Sequence, residues 1–295
     1  MSDQSIPDTQ FMTGDRPTKT TYRVTFNRPE KLNAFNFEMY DELVAHIDVA
    51  EDDDDVKAII LRGEGTSFGA GQDLSTVGFV YGFDASKSDR RPSMRRRLAV
   101  DRRWAANYAR FAECSKVTIS QVHGHCLGTH FILAIDSDFV IAAVDSNIGH
   151  PGMRLVGPGL EFNLMSWMWA VGIRLSKEML FTGRTLSGIE AAELGVVNKA
   201  VPAEDLEAEV MALADTISLM PADGVVMGKE AFRMMGDLMG VHSAFTFGAM
   251  SHTMNTNARF EPDEFNFFRE RRDQGPRDAF HARDERYGAV AEERD

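Results

Sequence analysis

Cysteine, positive charge and long apolar runs are all scarce in this sequence. Cys114 and Cys126 are the only cysteines among 295 residues, too few for a disulfide framework. No apolar run approaches the roughly 20 residues of a membrane-spanning helix, and residues 1–20 lack the apolar core of a signal peptide. The net charge of −13 disfavours a nucleic-acid-binding surface. We therefore expect a cytoplasmic protein that binds neither membranes nor nucleic acid.

Short strand patterns alternate with helix patterns through most of the chain. Residues 21–26, 56–61, 117–122 and 139–144 are rich in β-branched or alternating apolar residues, which predicts strands. Asn36 can cap a helix after the first strand, and Ser187 has the capping-box spacing to Glu190. Strands that alternate with helices predict an α/β fold with a buried sheet.

The pattern divides the chain into four parts. Residues 1–20 show no periodicity and predict a flexible N-terminal arm, whereas residues 21–204 form the α/β core. Residues 205–276 carry only helical apolar stripes and predict a helical C-terminal region. Residues 277–295 are rich in charge and predict an exposed tail or a single peripheral helix.

Two glycine-bearing turns follow two of the predicted strands. They are Ser-Phe-Gly-Ala-Gly-Gln-Asp-Leu at residues 67–74 and His-Gly-His-Cys-Leu-Gly-Thr-His at residues 123–130. Glycine at such a turn lets backbone N–H groups point into a cavity, where they can stabilise a developing oxyanion. One such turn is weak evidence, whereas two in succession favour an oxyanion-binding enzyme.

With four further motifs, these turns make the chain resemble the crotonase (enoyl-CoA hydratase/isomerase) superfamily. The other motifs are Phe-Asn-Arg-Pro-Glu-Lys-Leu-Asn-Ala at 26–34, Phe-Thr-Gly-Arg-Thr-Leu at 181–186, Ala-Ala-Glu-Leu-Gly-Val-Val-Asn at 191–198 and Phe-Arg-Glu-Arg-Arg at 268–272. The resemblance implies a spiral of ββα units with a helical C-terminal region that builds trimers or hexamers. It also implies an acyl-CoA substrate and no cofactor besides that coenzyme A.

The resemblance assigns roles to residues of both turns. The two oxyanion donors would be the backbone amides of Gln72 and Thr129, and Ala70 and Asp73 would lie at the substrate. A backbone amide can donate whatever side chain it carries, so the oxyanion site can survive the departure from the usual triple glycine at residues 128–130, although the added side chains crowd the turn and could change the substrate shape. Asp73 is also suited to hold its turn through backbone hydrogen bonds.

The acid–base residues depart further from the family pattern. Ile132 and Gly152 stand where hydratases of the family carry glutamates, which makes ordinary hydration doubtful. Glu161 falls, within a one-residue gap, where isomerases and dehalogenases of the family place a carboxylate. Burial could raise its pKa for proton transfer, although Glu161 could instead be a solvated helix-start carboxylate.

Histidines cluster around the second turn and the segment after it. His130 and His150 are candidates for assisting the proton transfer, because imidazole titrates near neutrality. Either could instead be a core histidine that pairs with the backbone. The histidine spacing matches no specific metal-binding motif, so no metal site is predicted.

Two further residues are assigned to substrate binding. Arg97 belongs to a run of seven arginines that begins at Arg90 and Arg91; the run is either a solvated helix face or a contact for ligand phosphates. Trp167 either lines an acyl pocket or packs in the core.

These observations predict an enzyme that stabilises the enolate of an acyl-CoA. Isomerisation, carbon–carbon hydrolysis and atypical hydration all pass through such an intermediate, and the sequence does not choose between them. Two alternatives remain: a β-diketone hydrolase that does not require coenzyme A, and a non-catalytic acyl-CoA-binding protein.

Overall fold

The computed structural model describes residues 5–75, 81–82 and 92–292, whose strands form two sheets. In chain order the strands are β1 (Met12–Thr18), β2 (Thr21–Phe26), β3 (Ala58–Gly63), β4 (Val117–Val122), β5 (His125–Leu127), β6 (Phe139–Ala143), β7 (Asn147–Gly149), β8 (Thr185–Ser187) and β9 (Lys199–Val201). The α-helices are α1 (Phe37–Glu51), α2 (Met94–Ala112), α3 (Thr129–Asp136), α4 (Leu164–Ala170), α5 (Ile173–Thr182), α6 (Gly188–Glu193), α7 (Leu206–Ser218), α8 (Ala222–Leu238), α9 (Val241–Asn255), α10 (Phe267–Gln274) and α11 (Pro276–Glu292). Short 3₁₀ helices lie at Pro29–Lys31, Pro151–Leu155, Pro158–Leu160 and Ala203–Asp205.

The larger sheet has the strand order β1-β2-β3-β4-β6-β9 and is parallel except for the β1–β2 pair. Both of its faces are covered, which matches the apolar runs of β3 and β6 and buries even the Thr, Ser and Gln side chains of β4. Ile59 and Leu61 of β3 face the main core with α1 and α2, whereas Ala58 and Ile60 face α7. The amphipathic stripe of α7 closes this second face.

The smaller sheet places the two glycine-bearing turns. β5 pairs in parallel with β7, which pairs antiparallel with β8. Two isolated bridges, Gly69 with Cys126 and Phe35 with Gln72, join the loop after β3 to β5 and to the segment before α1. The loop is therefore hydrogen-bonded on two sides and ends against the start of α3.

Beyond α7, the C-terminal helices pack chiefly on other helices. Helix α9 packs along α2, and α10 and α11 pack against each other through Phe267 and Phe280, whose ring centroids are 5.1 Å apart. Among the described residues no single helix is long and apolar enough to cross a bilayer. The helical segments Ala203–Ser218 and Ala222–Leu238 together have the length and apolar composition of a membrane span, but they are bent by 103° relative to each other.

The structure confirms most of the predicted elements and corrects one. The strands at 21–26 and 117–122 are present, and the Asn36 side chain accepts the Met39 N–H at 2.9 Å to cap α1. The prediction of a flexible arm over residues 1–20 is wrong for β1, which pairs with β2 and buries Met12. Residues 277–292 lie in helix α11, which is the second of the two predicted alternatives, a single peripheral helix.

Candidate active site

The two glycine-bearing turns touch each other through their backbones. Gly71 has a φ of 93° and Gly128 a φ of 56°, conformations that favour glycine. A Cβ on Gly71 would lie 2.8 Å from the Leu127 carbonyl oxygen, and one on Gly128 would lie 3.3 Å from the Gly71 Cα. Both positions need glycine, because a side chain at either would push the turns apart.

The peptide N–H groups of Gln72 and Thr129 lie at this contact. Gly71 O accepts the Phe35 N–H at 2.7 Å and the Asp73 N–H donates to Phe35 O at 2.8 Å, so the intervening N–H of Gln72 points away from Phe35. The Gln72 nitrogen lies 3.9 Å from the position of a Cβ on Gly128. Thr129 is the first residue of α3, where a helix leaves its N–H groups without intrahelical partners. The two amides thus lie on neighbouring segments of backbone.

A cavity of about 1040 Å³ opens over these two turns. Its wall includes most of the residues that the sequence assigned to a site: Ala70, Gln72, Asp73, Arg97, Thr129 and His150. Aromatic side chains from α1, α2 and the segment before α4 form another part of the wall: Tyr40, Trp104, Tyr108 and Phe162. A large apolar space with a few polar groups is typical of a ligand site.

His150 lies between the cavity and a buried carboxyl group. Its Nε2 is 3.2 Å from Glu161 Oε1, at contact distance but outside good hydrogen-bond alignment. Glu161 is buried and is not among the described residues that line the cavity. The Trp167 indole N–H donates to its other oxygen, Oε2, at 2.9 Å. His150 is therefore the member of this pair that a ligand can contact.

Burial shifts the protonation of both groups towards their neutral forms. It raises the pKa of Glu161 to about 8; the Trp167 hydrogen bond opposes this shift, and nearby Asp136 adds to it. Burial also lowers the pKa of His150 to about 4. The carboxyl group therefore titrates near physiological pH, whereas an ordinary glutamate is fully ionised there.

Gly152 leaves room for the His150 ring. A Cβ on Gly152 would lie 2.9 Å from Cε1 and 3.0 Å from Nδ1 of His150. The imidazole therefore occupies the space that a side chain at position 152 would need.

His130 does not reach the cavity wall, which argues against its expected assistance in proton transfer. Its ring is fully buried with three phenylalanines in edge-to-face contact, and its Nδ1 accepts the Gly71 N–H at 3.2 Å. Burial lowers the pKa of His130 to about 3, so the imidazole stays neutral. It supports the first turn from behind, as the alternative of a backbone-paired core histidine anticipates.

Two tyrosines that the sequence analysis did not single out join the two turns. The Tyr40 hydroxyl donates to Gln72 Oε1 at 2.9 Å and lies 2.9 Å from the Tyr108 hydroxyl. Tyr108 donates to Thr129 Oγ1 at 3.2 Å. Their positions within α1 and α2 follow the apolar stripes of these helices, so no sequence pattern distinguishes them from ordinary core tyrosines.

The remaining predicted site residues have mixed surroundings. Asp73 lines the cavity but holds its turn, since it pairs with Arg28 at 2.9 Å and accepts the Ser75 N–H. The Arg97 guanidinium lies 4.6 Å from the Tyr81 ring centroid, and Arg90 and Arg91 fall outside the described residues. Trp167 is buried behind His150 and is not among the described cavity-lining residues, contrary to its assignment to substrate binding.

The family model described as enoyl-CoA hydratase/isomerase matches residues 17–275. The chain belongs to the enoyl-CoA hydratase/isomerase family. A protein of Mycobacterium tuberculosis named probable enoyl-CoA hydratase is 34% identical over 209 residues, which cover 70% of this chain and 76% of that one. Hydroxycinnamoyl-CoA hydratase-lyase of Pseudomonas fluorescens is 30% identical over 220 residues, covering 73% and 75%.

Solved structures agree with the family assignment. An enoyl-CoA hydratase from Mycobacterium smegmatis matches with a TM-score of 0.81 at 31% identity, covering 95% of this chain and 94% of the other. An enoyl-CoA hydratase/isomerase from Xanthobacter autotrophicus Py2 matches with a TM-score of 0.72 at 30% identity, covering 94% and 98%. The superfamily and the fold predicted from the sequence are confirmed, and the chain is an enzyme of the enoyl-CoA hydratase/isomerase family.

Proposed function

We propose that this enzyme shifts a carbon–carbon double bond of an acyl-CoA through an enolate. The N–H groups of Gln72 and Thr129 hold the developing oxyanion, and each such donor contributes about 3 to 4 kcal/mol of transition-state stabilisation. The observation that supports this proposal most directly is the position of His150, whose Nε2 lies 3.2 Å from Glu161 Oε1 and whose Cε1 would lie 3.8 Å from a Cβ on Gly128. A proton carrier beside an oxyanion site suits proton removal next to a thioester carbonyl.

His150 is the proposed catalytic residue, and Glu161 positions and tunes it. When Glu161 is ionised it accepts the Nε2–H of His150, which leaves Nδ1 as the base. Because Nδ1 is buried beside Gly152, the 3₁₀ turn at Pro151–Leu155 must shift for Nδ1 to take a proton from the substrate. The resulting imidazolium is stabilised by the carboxylate and returns the proton to another carbon of the same enolate. No atom is gained or lost. Because the base form needs ionised Glu161, kcat/KM should rise with pH around an apparent pKa of about 8.

Addition of water by two carboxylates fits this chain less well. By the family resemblance, the hydratase glutamates fall at Ile132, which lines the cavity, and at Gly152, whose space holds the His150 ring. One histidine–carboxyl pair can remove and return a proton without a bound water. Isomerisation is therefore the simplest reaction for this wall of the cavity.

Coenzyme A enters as part of the substrate, with no separate cofactor. Basic side chains at the cavity, among them Lys31, Arg97, Arg269 and Arg272, suit its phosphate groups. The apolar side chains of Met227, Phe232 and Leu238 are exposed on α8. Exposed apolar groups of this kind favour assembly, so we propose a homotrimer or hexamer. The cytoplasmic location stays a prediction.

The test follows turnover of a β,γ-enoyl-CoA to its α,β isomer by absorbance, together with exchange of substrate α-hydrogens in D₂O by NMR. We expect wild-type turnover and exchange, and a loss of about 100-fold or more in His150→Ala. His242→Ala, a change of an exposed histidine on α9, is the matched control and should keep full activity.

The outcomes separate the competing functions. Turnover that persists within about threefold in His150→Ala would contradict the assigned role. Acyl-CoA binding without turnover or exchange would favour the non-catalytic binding protein. Thermal stabilisation by free β-diketones but not by acyl-CoAs would favour the diketone hydrolase.

A further inference from the structure

A second histidine–carboxylate pair has its histidine on the cavity wall, apart from His150. His252 on α9 lines the cavity, and its Nδ1 is 3.0 Å from Asp101 Oδ1 on α2. Asp101 is fully buried and also accepts the hydroxyls of Tyr81 at 2.8 Å and Thr253 at 2.5 Å. Sequence analysis did not single out either residue, because they are 151 positions apart and are joined only by the packing of α2 against α9.

The surroundings of His252 fix which atom can contact a ligand. Two oxygens face Nδ1: Asp101 Oδ1 at 3.0 Å, and at 3.4 Å the Tyr81 hydroxyl, whose own proton is donated to Asp101. Both can act only as acceptors towards the ring, which favours the tautomer with the proton on Nδ1. Phe162 stacks on one face with a centroid distance of 4.6 Å, and Trp104 meets the ring edge-on at 5.7 Å. The Nε2 lone pair has no hydrogen-bond partner among the described residues, and it belongs to the ring edge opposite Asp101. His252 thus offers an acceptor to the cavity.

A chain of contacts relates this acceptor to the proposed oxyanion site. The Tyr108 hydroxyl binds Thr129 Oγ1, and the Tyr108 ring lies 5.6 Å from the Phe162 ring. Phe162 in turn stacks on His252. His252 is therefore separated from the oxyanion site by two aromatic rings, along a wall that suits the apolar part of an acyl group.

We propose that His252 selects acyl-CoAs whose acyl group carries a hydroxyl group away from the thioester. This inference rests on the proposed function and extends it to the substrate class. The hydroxyl donates to Nε2 of His252, and Asp101 acts as the positioning residue that holds the ring. A substrate hydroxyl that is buried between Trp104 and Phe162 loses its hydrogen bonds to water, and the Nε2 acceptor replaces them. An acyl group without a hydroxyl would leave Nε2 without a hydrogen-bond donor.

The experiment compares matched ligands that differ by one hydroxyl. Butanoyl-, hexanoyl-, octanoyl- and phenylpropanoyl-CoA, each with and without a terminal hydroxyl, are titrated calorimetrically into wild type, His252→Asn and His252→Phe. Asn keeps a donor near the Nδ1 position for Asp101 but has no acceptor at the Nε2 position. Phe keeps the stacked ring and lacks both nitrogens. Circular dichroism and thermal melting verify that each variant is folded.

We expect at least one hydroxylated ligand to bind wild type about tenfold more tightly than its parent. Both variants should lose this preference, with the affinity for the parent ligands kept within about twofold. The inference is overturned if wild type binds every pair equally, or if either folded variant keeps the preference. Failure of every acyl-CoA to bind wild type would instead refute the proposed function, and this inference with it.

Discussion

Replacing the buried Glu161 with glutamine should stabilise the fold while impairing the enzyme. Glutamine has the shape of a protonated glutamate, so its amide can donate to His150 Nε2 and its carbonyl can accept the Trp167 N–H. It carries no proton that must be taken up on folding. It also cannot become a carboxylate, which the proposed base form of His150 requires.

The size of the gain follows from the shifted pKa of Glu161. In the unfolded chain the carboxyl group ionises at its ordinary pKa of 4.5, whereas in the folded protein it stays protonated up to about pH 8. Through this window each unit of rising pH destabilises the native state by about 1.4 kcal/mol. At neutral pH the accumulated destabilisation is about 3 kcal/mol, and Glu161→Gln should recover most of it. Below the unfolded pKa the variant and wild type should be equally stable.

Urea denaturation at fixed protein concentration, from about pH 5 to pH 9, measures this difference. The stability gap between Glu161→Gln and wild type should widen as pH rises and level off above about pH 8. Glu193→Gln, a change of an exposed carboxyl on α6, is the control and should show no such trend. The pH–rate profile of Glu161→Gln should lose its inflection near pH 8. A variant less stable than wild type at neutral pH, or a gap independent of pH, would refute a protonated Glu161.

Two further changes test the support of the turns. Gly128→Ala should lower kcat/KM by on the order of 100-fold, because its Cβ would push the Gln72 turn away, and it should also lower the melting temperature, because alanine is strained at φ 56° and ψ −120°. Steady-state kinetics and thermal melting measure the two effects, and unchanged kinetics would argue against the paired amides. His130→Phe should destabilise the fold by about 1 to 3 kcal/mol, because the Gly71 N–H loses its buried acceptor. Chemical denaturation measures this loss. A pH–rate profile displaced in His130→Phe would instead restore His130 as a proton-transfer group.

Sequence patterns sufficed for elements whose cause is local. The Asn36 cap and the strand at Val117–Val122 follow from side-chain chemistry and apolar periodicity within a few residues. β1 was missed because it lies at the edge of the sheet, where polar residues such as Asp15 and Thr18 are tolerated and little apolar surface is buried. Its pairing with β2 is a tertiary cause that no window of the sequence displays.

The residues of the candidate site also divide into those that local sequence patterns reveal and those that only tertiary packing brings together. Gln72 and Thr129 could be found because they belong to contiguous motifs, and both line the cavity. The sequence could not show which of His130 and His150 contacts the substrate, because the backbone of neighbouring turns decides which ring lies in the core and which lies at the cavity wall. Asp101 and His252 were missed because only the packing of two distant helices joins them.

The energetic cost of Glu161 and its proposed use have one physical origin. Burial beside Trp167 and His150 disfavours the carboxylate, which destabilises the native state at neutral pH and also brings the pKa to about 8. A solvent-exposed glutamate would carry no such cost, but it would be ionised throughout the physiological range and a weak base. Keeping Glu161 buried therefore lowers the free energy of unfolding at neutral pH and provides a carboxyl group that changes charge near neutrality. If Glu161 were merely a packing residue, glutamine at this position would give the same contacts without that loss.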